Sequence, residues 1–331
     1  MSTVPQDPPE IFRSCQKRLG PSGRLGVSAL LYDPHGERRA AIGFNEDNRF
    51  PMASVVKVPI GMRIASEIAN GTLSLNEKIT IHSRAASPGP FANPLDRFYF
   101  LPFGIVRTHT VEQPMAFMFH HSDNTATDAI LRRLGGTSAL TNFLRDLQIE
   151  GISIKRTMHE LLTYFYALQP SDVTEEPYRR ASQRIGRILG NIRRITPAFR
   201  CRPDREEHLI HSGEETCTPR AIAQLLKLLT MNPKYALVYS HMQRCATNKR
   251  RIAKGLKEQG VFVKSFGHKT GSLGAIANDV GIVQFKNGCS AVLAVMTCHS
   301  AVRMRVRDDE IATVTRAVIS QWKTEQLFES S

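Results

Sequence analysis

The feature that most constrains this chain is apolar alternation near its two ends, separated by a long middle with helical spacing. Arg24 to Tyr32 places Leu25, Val27, Ala29 and Leu31 on one side at period two, and Asp33-Pro34-His35-Gly36 supplies a turn before Arg38 to Phe44. Far downstream, Val280 to Phe285 and Cys289 to Thr297 read as two strands around Lys286-Asn287-Gly288, where Asn-Gly favours a tight turn. Such distant segments complete one antiparallel sheet only if the middle forms a body of its own. That middle, from about Ala53 to Leu229, carries helical patterns at Val111 to His121, at Asn124 to Leu134 before Gly135-Gly136, and at Pro219 to Leu229 behind Thr218. A last helix sets Ile311, Val314, Val318 and Trp322 on one face behind Asp308-Asp309-Glu310, acids suited to a helix N-terminus.

The expected fold class is mixed α/β of the α+β kind, an antiparallel sheet flanked by terminal helices plus an all-helical domain. The expected boundaries are an N-terminal tail over 1–21, a discontinuous sheet domain over 22–48 and 232–331, and a helical domain over 49–231. At 331 residues the chain is long enough to bury a sizeable core. It contains no apolar run of the roughly 18 residues that a membrane span needs. Residues 1–20 hold three prolines and scattered charges and lack the apolar stretch of a secretory signal, so a cytoplasmic location is expected. A missing true N-terminus would instead leave a periplasmic or secreted location. The six cysteines form no C-x-x-C pair and no compact framework, which favours reduced, mostly buried thiols.

The net charge of +14 is uneven, because nine arginines stand against the single acid Asp204 between Arg179 and Arg205. One local basic element explains this better than a nucleic-acid-binding surface, and nucleic acid is not an expected partner. An acidic partner is conceivable only for residues 179–205.

Three short motifs bear chemistry. Ser54 and Lys57 stand as S-x-x-K in Phe50-Pro51-Met52-Ala53-Ser54-Val55-Val56-Lys57, and positions i and i+3 share a helix face. A serine hydroxyl is a poor nucleophile until a base takes its proton, and a desolvated lysine can do so once its pKa falls. By itself the motif carries little, since Ser14 to Lys17 and Ser320 to Lys323 repeat it, and Pro59 is awkward in an early helical turn. Ser122-Asp123-Asn124 occurs once, at a helix junction where a hydroxyl and an amide can relay a proton and hold a substrate amide. Lys269-Thr270-Gly271-Ser272 follows a strand-like run, where an amine, hydroxyls and a small residue can line an anionic substrate.

The joint order S-x-x-K, S-D-N, K-T-G resembles the class A β-lactamases and their penicillin-binding relatives. Phe50-Pro51-Met52, Asn124-Thr125-Ala126, Leu134-Gly135-Gly136 and Thr218-Pro219 extend the resemblance over roughly residues 22–325. It implies a β-lactamase/transpeptidase-like fold with the site in the cleft between the two domains. It also implies that Ser54 is acylated, Lys57 is base or relay, and Ser122 passes the proton to the leaving nitrogen. Asn124 would bind the substrate's side-chain amide; Lys269, Thr270, Gly271 and Ser272 would receive its carboxylate; the backbone N–H groups of Ser54 and Ser272 would form the oxyanion hole. No cofactor and no metal are implied, and the partner is a small β-lactam, amide or peptide substrate.

The pattern departs from that family in three places. The glutamate run E-x-x-L-N that activates the deacylating water is missing, and Glu160, after Thr157, Met158 and His159, is the nearest candidate. Ser122 and Lys269 are unusually far apart, so an insertion over about 161–214 replaces the Ω-loop; its Ile185, Ile188, Leu189, Ile192 and Ile195 alternate with arginines as in an amphipathic basic helix. The strand after K-T-G, at Asn278-Asp279-Val280-Gly281, has no arginine for the substrate carboxylate, which leaves Arg303, Arg305 or Arg307 to supply it.

His208 with His211, and His120 with His121, lack a third ligand at metal spacing. Phe98-Tyr99-Phe100 suits a cleft wall or the core equally well. The expected function is hydrolysis of a β-lactam or related amide through an acyl-enzyme at Ser54. The alternatives are a DD-peptidase, acyltransferase or cytoplasmic biosynthetic amide hydrolase with slow deacylation, and a catalytically silent binding protein using the arginine-rich insertion.

Overall fold

The computed structural model describes residues 5–89, 93–97, 105–166, 203–260 and 262–325. Its main sheet has six strands in the order β1-β3-β2-β10-β9-β8, built from Pro5–Gln6 (β1), Arg24–Tyr32 (β2), Arg38–Phe44 (β3), Val263–Leu273 (β8), Ile276–Phe285 (β9) and Ser290–Cys298 (β10). All neighbours run antiparallel except the short pair of β1 with β3. Strands from the two ends of the sequence meet where β2 pairs with β10, from Arg24 opposite Cys298 to Tyr32 opposite Ser290. The mixed architecture expected from the alternation is the one the chain adopts.

Alternation along the strands feeds two separate cores. Leu25, Val27, Ala29 and Leu31 of β2 and Ala291, Leu293 and Val295 of β10 turn to one face. They pack there with helices α1 (Ile11–Arg18) and α11 (Met304–Thr324), whose Ile311, Val314, Val318 and Trp322 are fully buried. Val292, Ala294 and Met296 of β10 turn to the other face and join the core of the helical body. Because α11 begins at Met304, the acids expected at its start lie in its second turn, where Asp308 pairs with Arg251 and Glu310 with Arg18. The expected N-terminal tail is only partly a tail: α1 buries Phe12 and Cys15 against the sheet, and Leu19 follows them.

The interposed body starts at β4 (Phe50–Pro51), which pairs with β7 (Thr216–Cys217), and at a 3₁₀ turn over Ala53–Val56. It continues through α2 (Lys57–Ala69), the antiparallel pair β5 and β6 (Lys78–His82 and Val106–Thr110), α3 (Glu112–His120), α4 (Asn124–Arg133), α5 (Gly136–Asp146) and α6 (Met158–Phe165). After residues 167–202 the described chain resumes with α7 (Pro203–Ser212) and α8 (Pro219–Met231), followed by α9 (Ala236–Gln243) and α10 (Ile252–Glu258). Thr218 caps α8 through its side chain, as its position before the pattern suggested. Pro59 is the third residue of α2, among the first four whose N–H groups lack a partner within the helix.

Of the arginine-rich run, only residues 203–205 are described, so the amphipathic helix expected around Ile185 to Ile195 and most of the insertion lie outside the described residues, as do Phe98-Tyr99-Phe100. Five cysteines, all buried, are free; Cys201 lies outside the described residues. Among the described residues no helix is long and apolar enough to cross a membrane.

Candidate active site

The loop that carries Ser54 is held from two sides. Met52 N–H donates to Glu215 O at 2.9 Å, and Asn278 of β9 donates its side-chain amide to Pro51 O at 2.8 Å and Met52 O at 3.2 Å. Ala53 holds φ of +47°, a left-handed conformation that costs a non-glycine residue about 1–3 kcal/mol, and Ser54 follows in the 3₁₀ turn. One turn on, Lys57 opens α2 with its amine fully buried.

Lys57 Nζ lies 3.0 Å from Ser54 Oγ, 2.7 Å from Ser122 O, 3.2 Å from Ser122 Oγ and 2.8 Å from Asn124 Oδ1. A neutral amine has two N–H donors and one lone pair. The two shortest contacts, to Ser122 O and Asn124 Oδ1, accept its two protons and leave the lone pair for the Ser54 hydroxyl. Burial, then the positive charge of Lys269, push the Lys57 pKa down to about 7, against the opposing pull of Asp96, Asp123 and Asp128.

The S-D-N corner owes its shape to buried carboxylates. Asp123 caps α4 by accepting from Ala126 N–H at 2.8 Å, and its other oxygen takes Leu95 N–H at 2.6 Å. Asp96 accepts the N–H groups of Asn124 and Thr125, both at 2.8 Å. Ser122 sits at φ of +60° at this corner, which aims its hydroxyl between two amines. Lys269 Nζ reaches Ser122 Oγ at 3.0 Å, so one hydroxyl bridges Lys57 and Lys269.

β8 is an edge strand, and its free side approaches the nucleophile loop. A Cβ at Gly271 would stand 2.6 Å from Met52 O, so glycine is what lets the strand come this close. Thr270 and Lys269 are buried, whereas Ser272 is exposed and Ser54 and Ser122 are half-buried. The two amines and Thr270 are sealed while the three serines lie nearer solvent. Thr270 shares a hydrogen bond with Thr247 at 2.6 Å between hydroxyl oxygens.

Two features of this wall escaped sequence reasoning. The first is Arg251, which is fully buried although it ends the basic run Lys249-Arg250-Arg251. Its guanidinium pairs with Asp308 at 2.8 Å, donates to Gly271 O at 3.1 Å and Asn278 O at 2.6 Å, and reaches Ser272 Oγ at 2.7 Å. Arg307, one of the arginines expected there, instead donates to Gly274 O at 2.8 Å. The available signal was the missing arginine after K-T-G, which required a guanidinium from elsewhere.

The second is a charged trio behind Lys269. His268 meets Asp279 at 2.8 Å, and burial, which would lower its pKa, is outweighed by the charge and hydrogen bond of Asp279 and by Cys245, which raise it to about 10. Burial would raise the Cys245 thiol, but the His268 hydrogen bond, the charges of Lys269 and His268 and the Thr247 contact bring it down to about 6. Lys269 itself is lowered to about 8, first by burial, with Cys245 and Asp279 holding it up and Arg251 adding to the drop. A thiolate thus helps keep Lys269 charged near neutrality.

Glu160 takes a different position from the rest. Its carboxylate accepts from Thr157 N–H at 2.8 Å and Thr157 Oγ at 3.0 Å, completing a capping box at the exposed start of α6. These contacts serve helix initiation rather than a water beside Ser54. Two buried carboxylates lie nearby: Asp128 pins that same helix start to α4 by accepting Met158 N–H at 2.7 Å and His159 N–H at 2.8 Å, and Glu215, whose pKa burial raises to about 7, accepts Lys155 N–H and Arg156 N–H at 2.7 Å each. His208 and His211 lie apart from the cleft chemistry, with His208 against Tyr164 and His211 against Glu207. His120 meets His241 at 3.3 Å.

The family model described as the β-lactamase enzyme family matches residues 21–322. The β-lactamase VEB-1 of Pseudomonas aeruginosa is 24% identical over 313 residues, 89% of this chain and 84% of that protein. The β-lactamase CTX-M-6 of Salmonella typhimurium is 25% identical over 303 residues, 89% of this chain and 83% of that one. Among solved structures, a variant of the last common ancestor of Gram-negative bacterial class A β-lactamases is similar with a TM-score of 0.69 and 25% identity, covering 96% of this chain and 98% of that one. The penicillin G acyl-enzyme of a PBP-A mutant shares the fold at 20% identity with a TM-score of 0.66, covering 97% and 99%.

Proposed function

The chain belongs to the β-lactamase enzyme family, and from that premise we propose that it is a class A β-lactamase-like serine hydrolase that opens a β-lactam or related amide through an acyl-enzyme at Ser54. The observation that carries this reading is the Lys57 amine, held by Ser122 O and Asn124 Oδ1 with its remaining position at 3.0 Å from Ser54 Oγ.

Neutral Lys57 takes the Ser54 proton as Oγ bonds to the substrate carbonyl carbon. The carbonyl oxygen gains the charge, which the backbone N–H groups of Ser54 and Ser272 are positioned by analogy to receive. When the C–N bond breaks, the nitrogen takes a proton from Ser122 Oγ, which recovers one from Lys57 across 3.2 Å. Lys269, Thr270, Ser272 and Arg251 form the polar wall for the substrate carboxylate, with Lys269 and Arg251 supplying the charge. Asn124 holds Lys57 through its Oδ1, so its assignment to the substrate amide falls to its Nδ2, which is 3.4 Å from Pro88 O.

Glu160 in its capping box favours a second reading of the later step, in which the acyl-enzyme persists and is transferred or slowly hydrolysed, as in an acyltransferase or peptidase. Stopped-flow nitrocefin hydrolysis separates the two. A burst of one equivalent followed by a slow phase supports the persistent form, and linear fast turnover supports efficient hydrolysis. No colour change with any β-lactam, from protein whose fold is intact, removes both. Charge alone supports an acidic partner for residues 179–205.

A further inference from the structure

Away from Ser54, the end of β10 and the start of α7 bring together a thiol, an imidazole and a carboxylate. The Cys298 sulfur, a ring nitrogen of His299 and a carboxylate oxygen of Glu206 all lie within 4.8 Å of one another. Glu206 and Cys298 are buried. Two of the polar atoms here, Glu206 Oε2 and His299 Nε2, are buried and have no hydrogen-bond partner. Unpaired buried acceptors are disfavoured unless something occupies the space between them.

The surrounding contacts engage the other polar atoms of these side chains. His299 Nδ1 lies 3.0 Å from Glu207 Oε2, which holds the proton on Nδ1 and leaves the Nε2 lone pair bare. A carboxylate behind a histidine in this way is the usual outer support of a metal-binding imidazole. Glu206 Oε1 accepts His299 N–H at 2.5 Å, so its Oε2 is the oxygen left to bind. Arg24 and Arg307 also face the cluster, opposite the carboxylates of Glu206 and Glu207.

We propose that Glu206, Cys298 and His299 bind a zinc-class divalent cation, with Glu207 as the positioning residue for His299. A thiolate, an imidazole and one carboxylate suit zinc and exclude the hard cations calcium and magnesium. Zinc at about 2.0–2.3 Å from each ligand needs donors roughly 3.5 Å apart, a contraction of about 1.3 Å at most from the 4.8 Å within which they lie here. Binding releases the Cys298 proton, and a fourth position stays open to water. Glu206 also accepts the Ala275 N–H in the turn between β8 and β9, so the ion fastens α7 to the strand pair that carries Ser272.

The test uses full-length protein without a histidine tag, stripped with a chelator and titrated with Co²⁺ and then Zn²⁺. One equivalent of Co²⁺ is expected to give the near-ultraviolet thiolate-to-cobalt band, displaced by Zn²⁺, with a rise in melting temperature and one bound Zn²⁺ in native mass spectra. Cys298→Ser should lose the band, Cys245→Ser should keep it, and His299→Ala or Glu206→Gln should weaken binding at least tenfold. Glu207→Gln, a surface change that leaves the core intact, should weaken it about 10–100-fold. Absence of the band in wild type, its survival in Cys298→Ser, its loss in Cys245→Ser, or equal Zn²⁺ affinity in wild type and Glu207→Gln would each overturn the proposal.

Discussion

The corner around Lys57 and the start of α6 are both built on carboxylates and helix N-termini, yet they do opposite work. At the first, Asp96 and Asp123 hold the backbone so that the side chains of Ser122 and Asn124 are free to meet a buried amine. At the second, the carboxylate of Glu160 is itself taken up by the backbone and hydroxyl of Thr157. Forming an acyl-enzyme needs the first kind of corner, and breaking it quickly needs a carboxylate left free for water. On the proposed reading the first corner serves acylation at Ser54, while the Glu160 carboxylate is engaged by its helix cap and not free for water.

The largest effect that would break this comparison comes from Lys57. Lys57→Ala is expected to slow acylation by about 10²–10⁴-fold, measured as the pre-steady-state rate with nitrocefin, whereas a loss below tenfold would remove the lysine as base. A pH profile of that rate sharpens the same side. Lys57 acts when neutral, so the rate should rise as pH passes about 7; Lys269 acts when charged, so it should fall again above about 8. Cys245→Ser removes a negative charge that holds the Lys269 pKa up, and should move the alkaline limb to lower pH. An unmoved alkaline limb would detach the thiolate from Lys269.

The smallest kinetic effect is expected on the other side. Glu160→Gln should change deacylation less than about threefold and cost about 1 kcal/mol or less in urea unfolding, because glutamine keeps part of the capping box. A fall of about a hundredfold in deacylation alone would show that Glu160 leaves its cap to activate water.

How much of this was legible depends on the range of the contacts. Ser54, Ser122 and Lys269 each sit in a short string whose local backbone, a 3₁₀ turn, a capped corner and an edge strand, follows from neighbouring residues. The two halves of the sheet were legible because Leu25 to Leu31 and Ala291 to Val295 alternate at period two toward one core. Arg251 was not, since nothing in Lys249-Arg250-Arg251 distinguishes a solvated arginine from one that pairs with Asp308, 57 residues later. Cys245 and Asp96 were hidden for the same reason, as burial and charge partners are set by tertiary packing. The helix α1 was missed because its apolar face is short, Phe12, Cys15 and Leu19 among charged residues.

The central claim is covalent chemistry at Ser54, and intact-protein mass spectrometry after mixing with benzylpenicillin tests it most directly. A mass increase equal to one intact benzylpenicillin, mapped to the peptide containing Ser54 and absent in Ser54→Ala, is expected. An unmodified wild-type mass at every mixing time without hydrolysis of the drug, or the same adduct in Ser54→Ala, would contradict it.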